Sequence, residues 1–359
     1  MKSSNFTKLF KLLSVIVLFA GLSTTSLFAK TKKDFKIAWS IYVGYMPWPV
    51  IDSQKILDKW GKKYGINIDV VQINDYIESI NQYSAGKFDG CAMASFDSLS
   101  IPAAGGVDST ALILADYSNG NDAILSKTAK TVKELKGEKI NLIELSISHY
   151  LLARALELNG MSERDIKTEN TSDSDMVAAY GTDDVTTVTT WKPQVSEIEK
   201  IPNTNNVFNS SNLPGEIMDF FIVNTKTLKD NPAFGKALVG AWYEMMDLMT
   251  QKNEKAKEVL SQMATDSGTD LNGFLSQVKT THFFYTPKEA VEYVNGKKIK
   301  DTMKFMAEFS FNHGLYGDGA TDYKFVGIEF PNGEVIGDKN NIKLRFDDTY
   351  MKMAENNNL

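Results

Sequence analysis

Asp or Glu, usually beside Tyr or Trp, stands at nearly every point where an apolar run of this chain gives way to a turn. The segments are WSIYVGYMPW (Trp39–Trp48), QINDYIES (Gln72–Ser79), MASFDSL (Met93–Leu99), ADYSNGND (Ala115–Asp122), IELSISHY (Ile143–Tyr150), TTWKPQ (Thr189–Gln194) and EIMDFF (Glu216–Phe221). A carboxylate accepts two parallel N–H bonds from a planar cation, and an aromatic face attracts positive charge. The pattern therefore points to a small cation or a neutral polar nitrogen compound. Bidentate capture of an anion needs guanidinium groups, and the only arginines are Arg154, Arg164 and Arg345. Lysine can act as a point charge, and Lys192 is the main cation in these loops.

The candidate ligand contacts are Ser40, Tyr42 and Tyr45 after the first strand, Asp75 after the second and Asp97 after the third. Asp116 precedes the first crossover, Glu144 and Ser146 precede a helix, and Trp191 and Asp219 follow. Each has a structural alternative. Asp75 and Asp97 directly precede helices and fit as N-caps, as does Ser146. Trp48 either joins Tyr42 and Tyr45 in an aromatic wall or packs the helix it begins. Asp122 is explained by its turn-forming habit. Glu144 would pair with a guanidinium and repel an anion, whereas the free N–H groups of the helix it precedes would hold a polar oxygen. Asp219 interrupts an apolar strand, where an unpaired carboxylate is costly.

These residues require an α/β frame. Apolar strand-like runs (Phe35–Trp39, the β-branched Ile66–Ile73, Phe88–Ala94, Ala111–Tyr117) alternate with helical spacing (Pro49–Lys62, Tyr76–Ala85). The scheme repeats after the turn Ser118–Asn121, with a strand Lys139–Leu145 and a helix Ser148–Asn159 stopped by Gly160. The strand Ile217–Asn224 returns to the first half. Long helices follow at Phe234–Gln251 and Asp301–His313, and the turn signals of Tyr323–Arg345 suit a peripheral hairpin. The expected lobes are residues 30–122 with 222–359, and an inserted 123–221. Two crossovers would serve as the hinge, with ligand at the strand carboxyl ends between the lobes.

Residues 1–29 read as an export leader cut near Ala29: Lys2, Lys8 and Lys11 precede the apolar run Leu12–Leu22. Its loss removes three lysines and no acid, taking the formal charge from −6 to −9. An acidic surface argues against nucleic acid and anionic membranes as partners. The single Cys91 cannot form an internal disulfide. HExxH, CxxC, EF-hand, GxGxxG, GxxxxGK[ST] and GxSxG motifs are absent, so no metal or nucleotide cofactor is expected.

WSIYVGYMPW, AGKFDGCAMASFDSL (Ala85–Leu99), DYSNGND and GEIMDFFIVN (Gly215–Asn224) resemble the periplasmic solute-binding proteins of ABC importers in the nitrate/sulfonate/taurine group, from about residue 35 to 320. Within it they are most similar to the urea-carboxylase-associated branch. The resemblance implies a type II periplasmic-binding fold, a periplasmic monomer and no enzymatic activity. It also implies partnership with an inner-membrane permease and its ATPase, and guanidine or urea as ligand. The residue chemistry favours guanidinium. A nitrate or alkanesulfonate (taurine) binder, a pyrimidine-precursor binder or enzyme, and a signalling receptor are the other readings of such a fold.

Overall fold

Small and apolar residues build the centre of the larger sheet. A computed structural model describes residues 32–359; the expected leader lies outside the described residues. Strands β1 (Asp34–Trp39), β2 (Asn67–Gln72), β3 (Gly90–Ala94) and β4 (Ser109–Ser118) come first. Strands β5 (Ala123–Ser126), β6 (Lys139–Leu142), β7 (Lys167–Asn170), β8 (Thr187–Thr190) and β9 (Asn205–Asn209) follow. The chain then forms β10 (Met218–Asn224), β11 (Thr281–Phe283), β12 (Gly327–Glu329), β13 (Val335–Ile336) and β14 (Ile342–Phe346). One sheet runs β13-β12-β14-β4-β10-β3-β1-β2, with β11 also on β4; the other runs β7-β6-β8-β5-β9.

β3 (GCAMA) is buried throughout, parallel to β1 and antiparallel to β10. Gly90 is needed there: a Cβ would lie 2.8 Å from the Phe221 ring and 3.0 Å from the Ile222 carbonyl oxygen. The helix Pro232–Thr250 covers this sheet, and its Trp242 packs 5.2 Å from Trp48, which itself lies 4.3 Å from Phe221. Trp48 is thus a core residue and not part of a ligand wall.

The chain passes between the sheets twice, at residues 119–122 and 210–217. The passages are stitched together. Ser118 Oγ and Ser210 Oγ are 2.6 Å apart, Gly120 N donates to Ser210 Oγ at 2.7 Å, and Ser118 N donates to the Ile217 carbonyl at 2.8 Å. Thr280 and Thr281 brace them, since Asn121 Nδ2 donates to Thr281 Oγ1 at 2.5 Å and Thr280 Oγ1 donates to Asn121 Oδ1 at 2.5 Å.

One expectation needs correction. The tail is not only a peripheral hairpin: β12 and β13 pair antiparallel, but β14 lies parallel to β4 inside the main sheet. The stretch after Asp97 forms a π-helical turn, Leu99–Ala103, that contains Pro102, a residue with no N–H to donate. Among the described residues no helix is long and apolar enough to cross a membrane.

Candidate functional site

Strand ends of both sheets deliver polar groups into one cleft of about 310 Å³, counted with the solvent space at its mouth. It is lined by Ser40, Tyr42 and Tyr45 after β1, Tyr76 after β2, Ala94 at the end of β3, and Asp122 in the first passage. Ile147, Trp191, Ile217 and Asp219 complete it. The rings form two edge-on pairs: Tyr42 with Tyr45 at 5.1 Å, and Tyr76 with Trp191 at 5.4 Å. The second pair joins a ring from the larger sheet to one from the smaller.

Four carboxylates are buried in or directly behind this wall: Asp97, Asp116, Asp122 and Asp219. Asp219 of β10 is in register with Asp116 of β4 on one side and Ala94 of β3 on the other. Two acids facing across neighbouring strands repel unless a proton or a cation intervenes. Tyr45 OH donates to Asp219 Oδ1, and Tyr42 OH lies 3.5 Å from Asp116 Oδ1. No donor among the described residues reaches Asp116 Oδ2. That oxygen faces Gly44, where a Cβ would sit 2.1 Å from it; glycine is required by the acid beneath.

Asp97 is better provided. Tyr76 OH donates to its Oδ2 at 2.6 Å, and Ile147 N donates to its Oδ1 at 3.1 Å. The second bond crosses between the sheets, tying the first turn of the helix Ile147–Leu158 to the segment after β3. Tyr76 OH in turn accepts from Ala94 N at 2.9 Å.

No ion pair to any of the four acids occurs among the described residues, so burial governs their titration. Desolvation pushes Asp97 up to about 7 despite the Tyr76 bond, and pushes Asp122 up to about 6. Asp116 and Asp219 are both raised, first by burial and then by neighbouring carboxylates. The same burial and negative field hold the Tyr42, Tyr45 and Tyr76 hydroxyls well above the usual phenol range, so they remain donors. Lys192 is buried, but its Nζ donates to Thr280 Oγ1 at 2.9 Å and lies outside the lining set. The site thus concentrates acceptors and ring faces with no fixed positive charge.

Ser40, Tyr42, Tyr45, Trp191 and Asp219 line the cleft, while Asp97 and Asp116 stand behind it. Ser146 is the N-cap of the helix Ile147–Leu158, accepting from Ser148 N at 3.2 Å, and does not line it. Asp75 and Glu144 lie elsewhere, in a groove of about 870 Å³. Asp75 caps the helix Tyr76–Ser84 through Glu78 N at 2.8 Å, and Glu144 is bonded to Thr168 on β7. Both are removed from the site for the same reason: the residue one or three places further on turns inward instead. Tyr76, beside Asp75, and Asp122, in its turn, are the lining residues that the pattern of residue types does not single out.

The family model described as NMT1/THI5 like matches residues 58–256, more than half of the chain. The chain belongs to the NMT1/THI5-like family. The Taurine-binding periplasmic protein of Escherichia coli K12 is 24% identical over 207 residues, covering 55% of this chain and 63% of that relative, slightly less than two thirds of its length. The periplasmic aliphatic sulphonate binding protein of Escherichia coli superposes with a TM-score of 0.64 at 19% identity, over 80% of this chain and 94% of that one. The periplasmic nitrate-binding protein of Synechocystis PCC 6803 gives 0.60 at 12% identity, over 81% and 84%. This member of the NMT1/THI5-like family therefore has the periplasmic-binding-protein fold.

Proposed function

We propose that this protein is the extracytoplasmic binding component of an ABC importer and that its ligand is a small planar nitrogen cation, guanidinium first and urea second. We take its two sheets as hinged lobes that enclose the ligand between them. The return strand β10 (Met218–Asn224) lies wholly in the larger sheet, so the second lobe is 123–209 rather than 123–221, and 218–359 joins the first. The periplasmic relatives and the shared fold support the importer role, a periplasmic location and a non-enzymatic activity. The observation that carries the ligand class is the convergence of four buried carboxylates on a cleft without a lysine or arginine in its lining.

Guanidinium presents six N–H donors in one plane, which suits several carboxylates and flanking ring faces. Its charge also supplies what Asp116 and Asp219 lack. Urea is favoured by a narrower observation: with burial raising the acids, protonated carboxyls and tyrosine hydroxyls would donate to its carbonyl. A sulfonate, taurine or nitrate, the ligands named for the relatives, would meet these acids without a facing cation. The proposal is tested by thermal shift and calorimetry with guanidinium, urea, taurine and nitrate. Stabilisation by guanidinium is expected, and stabilisation by taurine or nitrate alone would reject the cationic site.

A further inference from the structure

Away from the cleft, three titratable side chains meet across the two sheets' helices. Glu163, in the short turn Glu163–Asp165, holds His149 Nε2 at 2.6 Å through Oε1 and His313 Nε2 at 2.8 Å through Oε2. His149 belongs to the helix Ile147–Leu158 beside the smaller sheet, and His313 ends the helix Lys297–Asn312 of the C-terminal half. The rings of His149 and His313 lie 5.5 Å apart, and His313 stacks on Phe309 at 3.8 Å.

The outer nitrogens settle the protons. Leu145 N donates to His149 Nδ1 at 3.0 Å, so that nitrogen is bare and Nε2–H donates to Glu163. His313 Nδ1 lies 2.8 Å from the Phe309 carbonyl, which can only accept, while its Nε2 faces a carboxylate. Both nitrogens of His313 must therefore carry protons, making it an imidazolium. The same constellation has the residue types of a metal site. A neutral histidine that ligates through Nε2 carries its proton on Nδ1, which at His149 would collide with the Leu145 N–H. The hydrogen bonding thus specifies a proton at this point and not a metal.

We infer that Glu163 and His313 form a proton-dependent clasp that holds the lobes together and releases them in alkaline solution. The groups facing His313 are Glu163 and His149 from the opposite lobe and the Phe309 ring of its own helix. Burial alone would raise Glu163, but the bonds from both histidines bring it down to about 2, and the Glu163 bond raises His313. The sign follows from linkage. A raised His313 favours the clasped state fully below the pKa of a free imidazole, and that gain disappears as pH rises through its own higher pKa.

The inference uses the hinged lobes proposed above but not the ligand's identity. Its test is the distance distribution between spin labels on Lys62→Cys and Lys200→Cys, both exposed, one in each lobe, with Cys91 buried and unreactive. From about pH 6 to about pH 9 the ratio of short to long distances should fall about fivefold, the scale of a half-buried ion pair. The cleft acids also titrate in this range, so the comparison is with His313→Arg, which keeps a cation at every pH, and His313→Asn, which never has one. His313→Arg should hold the short distance at about pH 9, and His313→Asn should show the longer one already at about pH 6. Equal pH responses in all three proteins would overturn the clasp. A distance that shortens with millimolar guanidinium chloride but ignores pH would sink the clasp and leave the hinged binding site standing. A distance fixed under every condition would overturn both.

Discussion

At the scale of single residues, the proposed site turns on Asp219 and its register with Asp116. Replacing Asp219 with Asn removes one of two facing acids without changing shape. The ligand-free protein should then melt a few degrees higher, since a relieved ~1 kcal/mol is worth ~2–4 °C in a domain of this class. Guanidinium binding should weaken by roughly two orders of magnitude, the cost of deleting one partner of a buried charge pair; calorimetry and thermal melts measure the two halves separately. The pH dependence follows with its sign. Asp97 and Asp122 titrate at about 7 and about 6 in the fold, above the ordinary carboxylate value of about 3.9 in an unfolded chain. Between these limits the folded state binds more protons, so the ligand-free protein loses stability as pH rises from about 4 to about 7. A bound cation favours the ionised acids, so guanidinium binding should strengthen over the same interval and release protons. Calorimetry in buffers of different ionisation heat measures that release, and its absence would argue for urea.

At the scale of elements, the helix that follows β2 shows why a correct strand-end reading can still choose the wrong residue. Asp75 was legible as an acid at a strand end, and also as a cap; the cap is what it does, bonding Glu78 N at 2.8 Å. Capping fixes Asp75 at the helix rim and turns the next side chain, Tyr76, into the cleft. No pattern of types distinguishes these two until the helix start is placed to the residue. The same limit applies to Asp122, whose turn geometry and burial coexist. Tyr42, Tyr45, Trp191 and Asp219 were readable because each departs from the periodicity around it. Tyr76 therefore carries the element-scale prediction. Its hydroxyl bonds Asp97 and receives the Ala94 N–H, so Tyr76→Phe leaves two buried groups short of a partner. The variant should lose about 1–3 kcal/mol of stability, and Asp97 should become harder to ionise, moving the proton release on guanidinium binding to higher pH. A change in stability with no shift in that pH profile would make Tyr76 a packing residue only.

At the scale of the whole molecule, the alternation of strands and helices made the α/β class legible, together with a return strand at Ile217–Asn224, because buried strands are written as continuous apolar runs. The tail was not legible in the same way. IKLRF mixes polar and apolar residues, and its pairing with β4 joins residues more than 200 positions apart, a distance no local pattern encodes. Its role is nevertheless structural. Phe346 stacks on Phe330 at 5.1 Å and meets Phe220 of β10 edge-on at 5.3 Å, so the tail packs against the strand that bears Asp219. Arg345 adds ion pairs to Asp108 at 2.9 Å and Glu329 at 3.1 Å. Ending the chain before Thr321 would strip β14 from β4 and expose both the β4 edge and the Phe220 ring, an invitation to strand-to-strand association. The shortened protein should aggregate or populate a loosened state on size-exclusion chromatography. The milder Phe346→Ala should remain folded, lose about 3–5 kcal/mol, and retain guanidinium affinity when measured below its lowered melting point. A tail-less chain that stayed monomeric with an unchanged melting temperature would show that β14 is an ornament on the sheet, and that β10 holds Asp219 in register without it.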